Sequence, residues 1–263
     1  MRENQTTETT VRLNKFLSEA GLCSRREADR LIESGKVTVD GKRAEMGMRV
    51  SPSQRVCVGK KEVRQKNEMV LLAVNKPVGI VCTEEKKEKN NIIRFLNYPT
   101  RVTYIGRLDK DSEGLLLMTN NGDIINKMMR AGNQHEKEYK VTVNKPVTKE
   151  FIEKMAEGVP ILDTVTRKCK VEMLGKYKFR IILTQGLNRQ IRRMCEYFGY
   201  RVEKLVRTRI MNIELGDLPV GTYRDVTTEE YRQLLSLIKD SSNETVIPKK
   251  YPKSERMKEK SKK

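Results

Sequence analysis

The stretch GRLDKDSEGLLLMTNNGD, residues 106–123, carries the strongest indication of fold and function in this chain. Residues 102–105 before it are strand-like, and residues 115–118 within it form the continuous apolar run of a buried strand. The polar loop between the two strands contains Arg107, Asp109, Asp111 and Glu113. Two buried strands would hold the carboxylates of this loop in fixed positions, which favours catalysis. A solvent-exposed acidic turn without a catalytic role has the same sequence pattern.

Strands and helices alternate on both sides of this stretch. Residues 70–74 form another continuous apolar run, which predicts a buried strand. Strand-like and helical segments then follow to about residue 239. The last helix begins at a capping-box pattern in which Thr227 and Glu230 are three residues apart.

Two further segments could take part in chemistry. In HEKEYKV, residues 135–141, Tyr139 precedes a strand and is either an ordinary half-buried tyrosine or a ring that stacks on a base. In QGLNRQIRRM, residues 185–194, Asn188 is expected to cap a helix that ends at Gly199. The helical wheel places Arg189 and Arg193 in solvent and Arg192 beside the apolar stripe. We therefore expect Arg192 to be partly buried and to need a carboxylate partner, whereas the alternative is three solvated arginines.

The pattern of residues 11 to about 64 predicts two helices followed by strands. The first helix ends at Gly21, and the second begins at Ser24 with a capping-box pattern to Glu27. Asp40-Gly41 predicts a turn between strands. Basic residues lie on and around the helix pair, where helix amino termini already attract phosphate, although a solvated charged face is the simpler interpretation. The candidate RNA-binding residues here are Arg12, Lys15, Arg25, Arg26 and Arg30.

Composition favours a polyanionic partner. The 263 residues include 54 Lys and Arg against 35 Asp and Glu, which gives a net charge of +19. Such an excess accelerates association with nucleic acid. The five cysteines form no CxxC pair, and no apolar run approaches the length of a membrane span. With no apolar secretory segment, we expect a cytoplasmic protein that has no membrane partner.

The single histidine restricts the possible chemistry. His135 is the only residue available for a His-dependent triad or a His-rich zinc site, and we expect it to be a polar surface residue without a role. The acidic loop lacks the spacing of a calcium site, and the chain contains neither a P-loop nor a GxGxxG motif. We therefore expect no metal site and no nucleotide cofactor.

The ordered set of motifs resembles the RsuA/RluB/RluE/RluF family of pseudouridine synthases, and most closely its RluF branch. GRLD is followed by GLLLMTN, KEY and NRQIRRM, and the resemblance covers residues 11–239. Ser112 departs from a common threonine but keeps the hydroxyl. The run LNKFLSEAGLCSRREADRLIESGKVTVDGK resembles the S-four-type (alpha-L) RNA-binding domain. The resemblance implies an α+β fold, in which a small helix–helix–β RNA-binding domain precedes a synthase domain with a mixed, mostly antiparallel sheet flanked by helices.

The resemblance also implies roles for individual residues. Asp109 would be the catalytic aspartate, Tyr139 the tyrosine stacked on the target uracil, and Arg192 the basic residue that forms an ion pair with the aspartate. Leu205 would pack beneath the base, and Arg107 would fill the gap left by a flipped nucleotide. Lys76 and Pro77 would be structural. We count Arg189, Gln190 and Arg193 with Arg107 and Leu205 as substrate-binding residues.

Together, these expectations predict the domain organisation of the chain and its function. We predict a flexible amino terminus at residues 1–10, the RNA-binding domain at 11–64, a linker at 65–68, the synthase domain at 69–240 and a disordered basic tail at 241–263. The expected reaction is isomerisation of a uridine in structured RNA, foremost large-subunit ribosomal RNA, with tRNA open as a second substrate. Two alternatives remain, a non-catalytic RNA-binding or ribosome-assembly protein and a nucleosidase that releases free uracil. The oligomeric state is not predicted.

Overall fold

A computed structural model of the chain describes residues 10–64, 68–129, 134–239 and 241. Apart from residues 10, 68 and 241, the predicted flexible amino terminus, linker and basic tail lie outside the described residues. None of the helices in the described ranges is both long enough and apolar enough to cross a bilayer.

The amino-terminal module, residues 10–64, consists of two short helices and six short strands. Its elements are β1 (Val11–Arg12), α1 (Leu13–Glu19), α2 (Arg25–Glu33), β2 (Val37–Val39), β3 (Lys42–Arg43), β4 (Arg49–Val50), β5 (Val56–Val58) and β6 (Lys61–Glu62).

The larger domain, described over residues 68–129, 134–239 and 241, contains one long sheet with helices packed against it and a separate two-stranded pair, Pro160–Ile161 with Thr164–Val165. Its elements are β7 (Leu71–Lys76), α3 (Ile92–Leu96), β8 (Thr103–Ile105), β9 (Glu113–Thr119), α4 (Gly122–Met129), β10 (Lys137–Val143), α5 (Lys149–Glu157), β11 (Pro160–Ile161), β12 (Thr164–Val165), β13 (Lys170–Gly175), β14 (Lys178–Leu183), α6 (Gln190–Tyr197), β15 (Val202–Ile210), β16 (Ile213–Glu214), β17 (Tyr223–Asp225) and α7 (Thr228–Leu237).

The amino-terminal module has a hydrophobic core of its own. Leu13 and Leu17 of α1 and Ile32 of α2 pack against the strand residues Val37 and Val50. These helices are too short to be stable alone, so this packing holds them. The sheet order is β3-β2-β5-β6, with antiparallel pairing throughout, and β1 pairs separately with β4.

Only half of the capping box predicted for α2 forms. The Ser24 hydroxyl accepts a hydrogen bond from the Glu27 amide at 3.2 Å, as expected. The Glu27 carboxylate lies 3.8 Å from Lys86 Nζ in the larger domain. At the last helix, α7, both halves of the predicted Thr227–Glu230 box are present.

The sheet of the larger domain is mixed but mostly antiparallel, which confirms the predicted fold class. Its strand order is β13-β14-β10-β15-β9-β7-β17, with β8 on β9 and β16 on β15. Among the strand pairs of the described residues, only the pairing of β15 with β9 is parallel. This pairing joins the two halves of the sheet, so the loop that enters β9 lies at the centre of the domain.

The apolar runs of β7 and β9 are continuous because both faces of the sheet are covered. Leu71 and Leu117 face a core that contains helices α4 and α7. Leu72 and Leu116 face the opposite core, to which α3 contributes. Alternate residues of a strand point to opposite faces, so helices on both sides turn an alternating pattern into an unbroken apolar one.

Gly114 is the β9 residue that pairs with both neighbouring strands. It pairs with Lys76 on β7 and with Arg207 on β15. Its φ of +110° is rarely adopted by other residues, and a Cβ at this position would lie 2.3 Å from the Arg207 carbonyl oxygen. The glycine therefore permits the close approach that brings β15 beside the polar loop.

Ionic contacts connect the two parts of the chain. Lys15 Nζ on α1 lies 2.8 Å from Asp123 Oδ1 at the start of α4 and 3.6 Å from Glu19. The Arg25 guanidinium lies beside Gly122, since a Cβ there would be 3.2 Å from its Nη2. Lys15 and Arg25 thus contact the larger domain in this structure.

We predict that Gly114→Ala destabilises the protein by about 2–3 kcal/mol, because the added methyl would collide with backbone and the φ would be strained. The matched control is Gly175→Ala on the edge strand β13, where no atom lies within 4 Å of the added Cβ. Urea unfolding midpoints provide the measurement. Equal midpoints for the two variants would show that the approach of β15 to β9 does not need a glycine.

Candidate active site

Asp109 lies in a short loop, residues 106–112, between β8 and β9. The Ser112 amide donates to the Asp109 carbonyl at 3.1 Å, which closes a turn around the aspartate. Leu108 is buried in the core beside α3, whereas the Asp109 side chain is 33% exposed. The loop therefore anchors one side chain inward and presents the next, a carboxylate, to the surface of a cavity.

Three buried cations hold the backbone of this loop, each from a different element. Lys76 of β7 donates to the Ser112 carbonyl at 2.9 Å, and Arg192 of α6 donates to the Asp111 carbonyl at 2.7 Å. Arg207 of β15 donates to the Arg107 carbonyl at 3.4 Å. Burial lowers the pKa of Lys76, and the charge of Asp109 opposes that shift. The carbonyls on both sides of Asp109 are thus tied to positive charge.

A cavity of about 510 Å³ opens beside Asp109. This volume lies in the range of small-molecule sites and can take a nucleotide base with its ribose. The structure brings seven of the eight predicted residues of this domain to the cavity wall and leaves Arg193 outside it. The seven are Arg107, Asp109, Tyr139, Arg189, Gln190, Arg192 and Leu205.

Tyr139 and Leu205 form an apolar part of the wall. Tyr139 is half-buried on β10 and packs against two cores of the domain. Leu205 is buried on the neighbouring strand β15, where it pairs with Val141. An aromatic ring and a leucine across two paired strands can hold a planar base by its faces.

The predicted ion pair between Arg192 and Asp109 is wrong. Arg192 is buried, as the helical wheel indicated, but it donates to the carbonyls of Asp111 and Val202. Within the described residues no carboxylate lies within ion-pairing distance of its guanidinium. Arg189 is the paired arginine, with Nη1 3.9 Å from Asp109 Oδ2 and 3.7 Å from Asp111 Oδ2.

The helical wheel failed for Arg189 because this residue is not in the helix. It precedes α6 in a left-handed conformation with φ of 49°, and Asn188 is not the cap. The Leu187 amide instead donates to Gln190 Oε1 at 3.1 Å. Arg193 donates to the Asn188 carbonyl at 3.1 Å on the outer side of the helix.

Lys137 and Arg207 also line the cavity, although the sequence patterns did not select them. Lys137 stands two residues before Tyr139, and Arg207 stands two residues after Leu205. Residues two apart on a strand share a face, so the alternation around these two predicted residues could have identified both cations. Lys76 was predicted to be structural, and its carbonyl bonds agree with that prediction.

His135 is buried and not a surface residue. Its Nε2 lies 3.2 Å from the Lys127 carbonyl, and burial lowers the pKa of His135. Lys127 and His135 belong to α4 and the start of β10, so the contact fixes the cavity wall where these elements meet. In the part of the chain that the structure describes, no group of three His, Cys, Asp or Glu side chains could hold a metal ion.

The candidate RNA-binding residues of the amino-terminal module differ in their surroundings. Arg12, Arg26 and Arg30 are exposed. Arg25 is also exposed but lies beside Gly122. Lys15 is only 24% exposed and is occupied by Asp123 and Glu19. The accessible basic face is therefore narrower than the sequence indicated, because two of its residues contact the larger domain.

Comparisons with known proteins agree with this geometry. The RNA pseudouridylate synthase family model matches residues 70–197, and the S4 domain model matches residues 11–56. A crystal structure of a pseudouridylate synthase has a TM-score of 0.63 and 28% identity, covering 85% of this chain and 99% of that one. This similarity spans the amino-terminal module and the larger domain together.

Two curated relatives place the chain within one branch of the synthases. The dual-specificity RNA pseudouridine synthase RluF of Escherichia coli K12 is 58% identical over 92% of this chain and 84% of its own length. The ribosomal large subunit pseudouridine synthase B of Bacillus subtilis is 34% identical over 88% of this chain and 98% of its own. The expected similarity to the RluF branch is confirmed. This chain belongs to the RsuA/RluB/RluE/RluF family of RNA pseudouridine synthases, which are isomerases.

Proposed function

We propose that this protein converts a uridine in structured large-subunit ribosomal RNA to pseudouridine in the cytoplasm, without a cofactor. One observation carries the proposal: Asp109 stands on a rigidly held loop at a cavity of nucleotide size, opposite Tyr139 and Leu205. A relative's name includes the ribosomal large subunit, and RluF is named as dual-specificity. We therefore also propose tRNA as a candidate second substrate.

Asp109 is the proposed catalytic carboxylate. The uracil must leave ribose at N1, rotate, and rejoin through C5, and this isomerisation involves no net oxidation. A carboxylate can act in such a glycosidic cleavage as a nucleophile or as a base. The loop carbonyls that Lys76, Arg192 and Arg207 hold keep the carboxylate in place, so little reorganisation is needed at the moment of reaction.

Base flipping explains why the cavity has an apolar wall and an exposed arginine at its rim. A base within an RNA helix must be extruded before it can reach Asp109, at a cost of a few kcal/mol. Stacking on Tyr139 and contact with Leu205 offset part of this cost. Arg107 is exposed at the rim, where its side chain can occupy the space that the flipped nucleotide vacates. Arg189 and Gln190, also at the cavity, are the proposed contacts to the flipped nucleotide.

The amino-terminal module is proposed to supply affinity for structured RNA. Arg26 and Arg30 are exposed on α2, four residues apart and therefore on one face of the helix. Exposed arginines bind phosphate without reading sequence directly, and they fix register and orientation on the RNA. The division of labour follows, because the cavity residues all lie in the larger domain.

We predict that Asp109→Asn abolishes isomerisation and leaves RNA affinity nearly unchanged, because the amide keeps the shape of the side chain and removes its charge. Asp111→Asn is the matched control, since Asp111 lies on the same loop, also faces Arg189, and is 63% exposed. Pseudouridine formed in a target RNA is measured along with the binding constant. Turnover by Asp109→Asn would contradict the assignment, and release of free uracil by the wild-type protein would indicate a nucleosidase.

We predict that Arg192→Met lowers the single-turnover rate by about 100-fold, because a loop that has lost an anchor misplaces its carboxylate. It should also cost about 1–3 kcal/mol of stability, since the Asp111 and Val202 carbonyls lose a buried donor. Arg193→Met, one position along α6, should change the rate by about twofold or less. Similar rates for the two variants would remove Arg192 from the site.

We predict that Arg26→Gln combined with Arg30→Gln weakens RNA binding and lowers the slope of affinity against salt by about one unit for each phosphate that is no longer bound. The rate at saturating RNA should not change. Arg232→Gln on α7 serves as the control, because that arginine is exposed and pairs with Glu229. A rate that falls even at saturation would mean that the amino-terminal module takes part in remodelling the substrate.

A further inference from the structure

The inner wall of the cavity contains two cations on adjacent strands. Lys137 and Tyr139 lie on β10, and Leu205 and Arg207 lie on β15. Tyr139 pairs directly with Arg207 in the sheet, and all four side chains line the cavity. On the same face of each strand, Lys137 is therefore the neighbour of Tyr139, and Arg207 is the neighbour of Leu205.

Neither cation has an anionic partner among the described residues. Lys137 Nζ donates to the His135 carbonyl at 3.2 Å, and within the described ranges it has no carboxylate within 4 Å. Arg207 is 2% exposed and donates from Nε and Nη1 to the carbonyls of Leu115 and Arg107, but its Nη2 has no hydrogen-bond partner in the described part of the chain. Buried charges are costly unless they are paired, so two uncompensated cations at one cavity indicate a missing electron-rich partner.

We propose that Lys137 and Arg207 form a cationic subsite that binds a carbonyl oxygen of the flipped uracil and stabilises the negative charge of the departing base. The proposal rests on the proposed function, because it assigns a role within that same cavity. It makes Lys137 a direct contact of the substrate, whereas Arg207, which is 2% exposed and has a buried Nη2, acts through its positive charge.

Position favours the edge of the base over a phosphate. Lys137 and Arg207 lie beside Tyr139 and Leu205, the two side chains that would hold the faces of the base. The rim carries other cations that are accessible from solvent, Arg107 and Lys110. The phosphates of a flipped nucleotide stay with the backbone at the rim, whereas its base enters the cavity.

The chemistry requires positive charge at this place. When the C1′–N1 bond breaks, its electron pair remains on the uracil, delocalised over N1 and the two carbonyl oxygens. The Asp109 carboxylate compensates the electron-poor ribose carbon on the other side. After rotation, C5 bonds to C1′ with an electron pair of the ring, the C5 proton passes to water, and N1 takes a proton from water. Donors aimed at the developing charge stabilise it most.

The same subsite distinguishes pyrimidines. Ammonium and guanidinium groups only donate hydrogen bonds. The carbonyl at position 4 of uracil accepts such bonds, but the amino group that cytosine has at this position cannot. A buried cation facing an amino group would stay unpaired, and this cost gives discrimination.

Geometry and charge also determine how the subsite responds to pH. Burial, with the repulsion of Arg207 second, lowers the pKa of Lys137 to about 8. The titratable or charged groups that line the same cavity come from several elements: Arg207 on β15; Arg107, Asp109 and Lys110 on the loop; Arg189 and Arg192 at α6; Cys82 after β7; and His135 and Tyr139 on the segment of Lys137 itself. Since the protonated form binds the carbonyl, activity is full below about pH 8 and is lost as pH rises through that value.

The test uses the full chain, beginning with Lys137→Met, which keeps the length of the side chain and removes its charge. We expect the single-turnover rate at saturating RNA to fall about 100-fold, the loss seen when one donor to a developing charge is removed. Affinity should fall for RNA with the target uridine but not for the same RNA with an abasic ribose there. Lys140→Met is the matched control, because Lys140 is exposed on the same strand, and it should keep the wild-type rate.

The pH dependence provides a second test, whose first measurement uses only the wild-type protein. For the wild-type protein, kcat/KM should decline above about pH 8, since this ratio reports groups of the free enzyme. In Lys137→Arg, which stays charged, the decline should disappear.

Three results would overturn the subsite. The first is a single-turnover rate in Lys137→Met equal to that of the wild-type protein, and the second is an equal loss of affinity for both RNAs, which would indicate a phosphate contact. The third is activity of the wild-type protein that rises through pH 8, which would indicate that Lys137 acts as a base. Each of these results can occur while the wild-type protein forms pseudouridine and Asp109→Asn does not. The subsite proposal can therefore be rejected while the proposed function stands. A wild-type protein that forms no pseudouridine would instead reject the proposed function.

Discussion

The site depends on the bonds between buried cations and the backbone carbonyls of the Asp109 loop. Lys76, Arg192 and Arg207 come from β7, α6 and β15, and each donates to a carbonyl within residues 107–112. Desolvation costs several kcal/mol per ion, on the order expected for buried charges, and carbonyl dipoles compensate only part of it. The three buried cations therefore fix the conformation of the loop but lower the folding stability of the protein. Such a loss of stability is common at functional sites.

The parallel pairing of β15 with β9 makes this arrangement possible. It brings Arg207 beside Gly114, where the close backbone approach lets one arginine reach carbonyls on both sides of the loop. Leu205 and Tyr139 follow from the same pairing, because β10 lies on the other side of β15. The strand order of the sheet thus determines both the support of Asp109 and the wall that faces it.

Local pattern was sufficient to predict much of the fold. The apolar runs at β7 and β9, the Thr227 cap and the helix pair of the amino-terminal module are all properties of short segments, and they were predicted correctly. The resemblance to a family supplied the type of sheet and the identity of Asp109, Tyr139 and Leu205, which no periodicity could assign. The helical wheel located the burial of Arg192 because this residue lies beside the apolar stripe that packs into the core.

The ion-pair partners of the basic residues were not predicted, because tertiary structure determines which groups lie next to a side chain. Arg192 was assigned a carboxylate because a buried guanidinium needs compensation, but carbonyls provide it here. Arg189 lies before the helix in a left-handed conformation, which no wheel can represent, and it therefore reaches Asp109. Lys15 contacts Asp123, over one hundred positions away in the sequence, which no local pattern indicated; its binding to RNA stays a prediction.

The contacts of Lys15 and Arg25 also bear on how the two parts of the chain cooperate. Ionic contacts between exposed groups are weak and are screened by salt, so those connecting the module to α4 hold its orientation only loosely. The pair with Asp123, whose side chain is 59% exposed, occupies a cation that an RNA phosphate could otherwise reach. The basic face left accessible to RNA is therefore formed by the exposed Arg12, Arg26 and Arg30, whereas the loop that holds Asp109 is fixed independently by its buried cations.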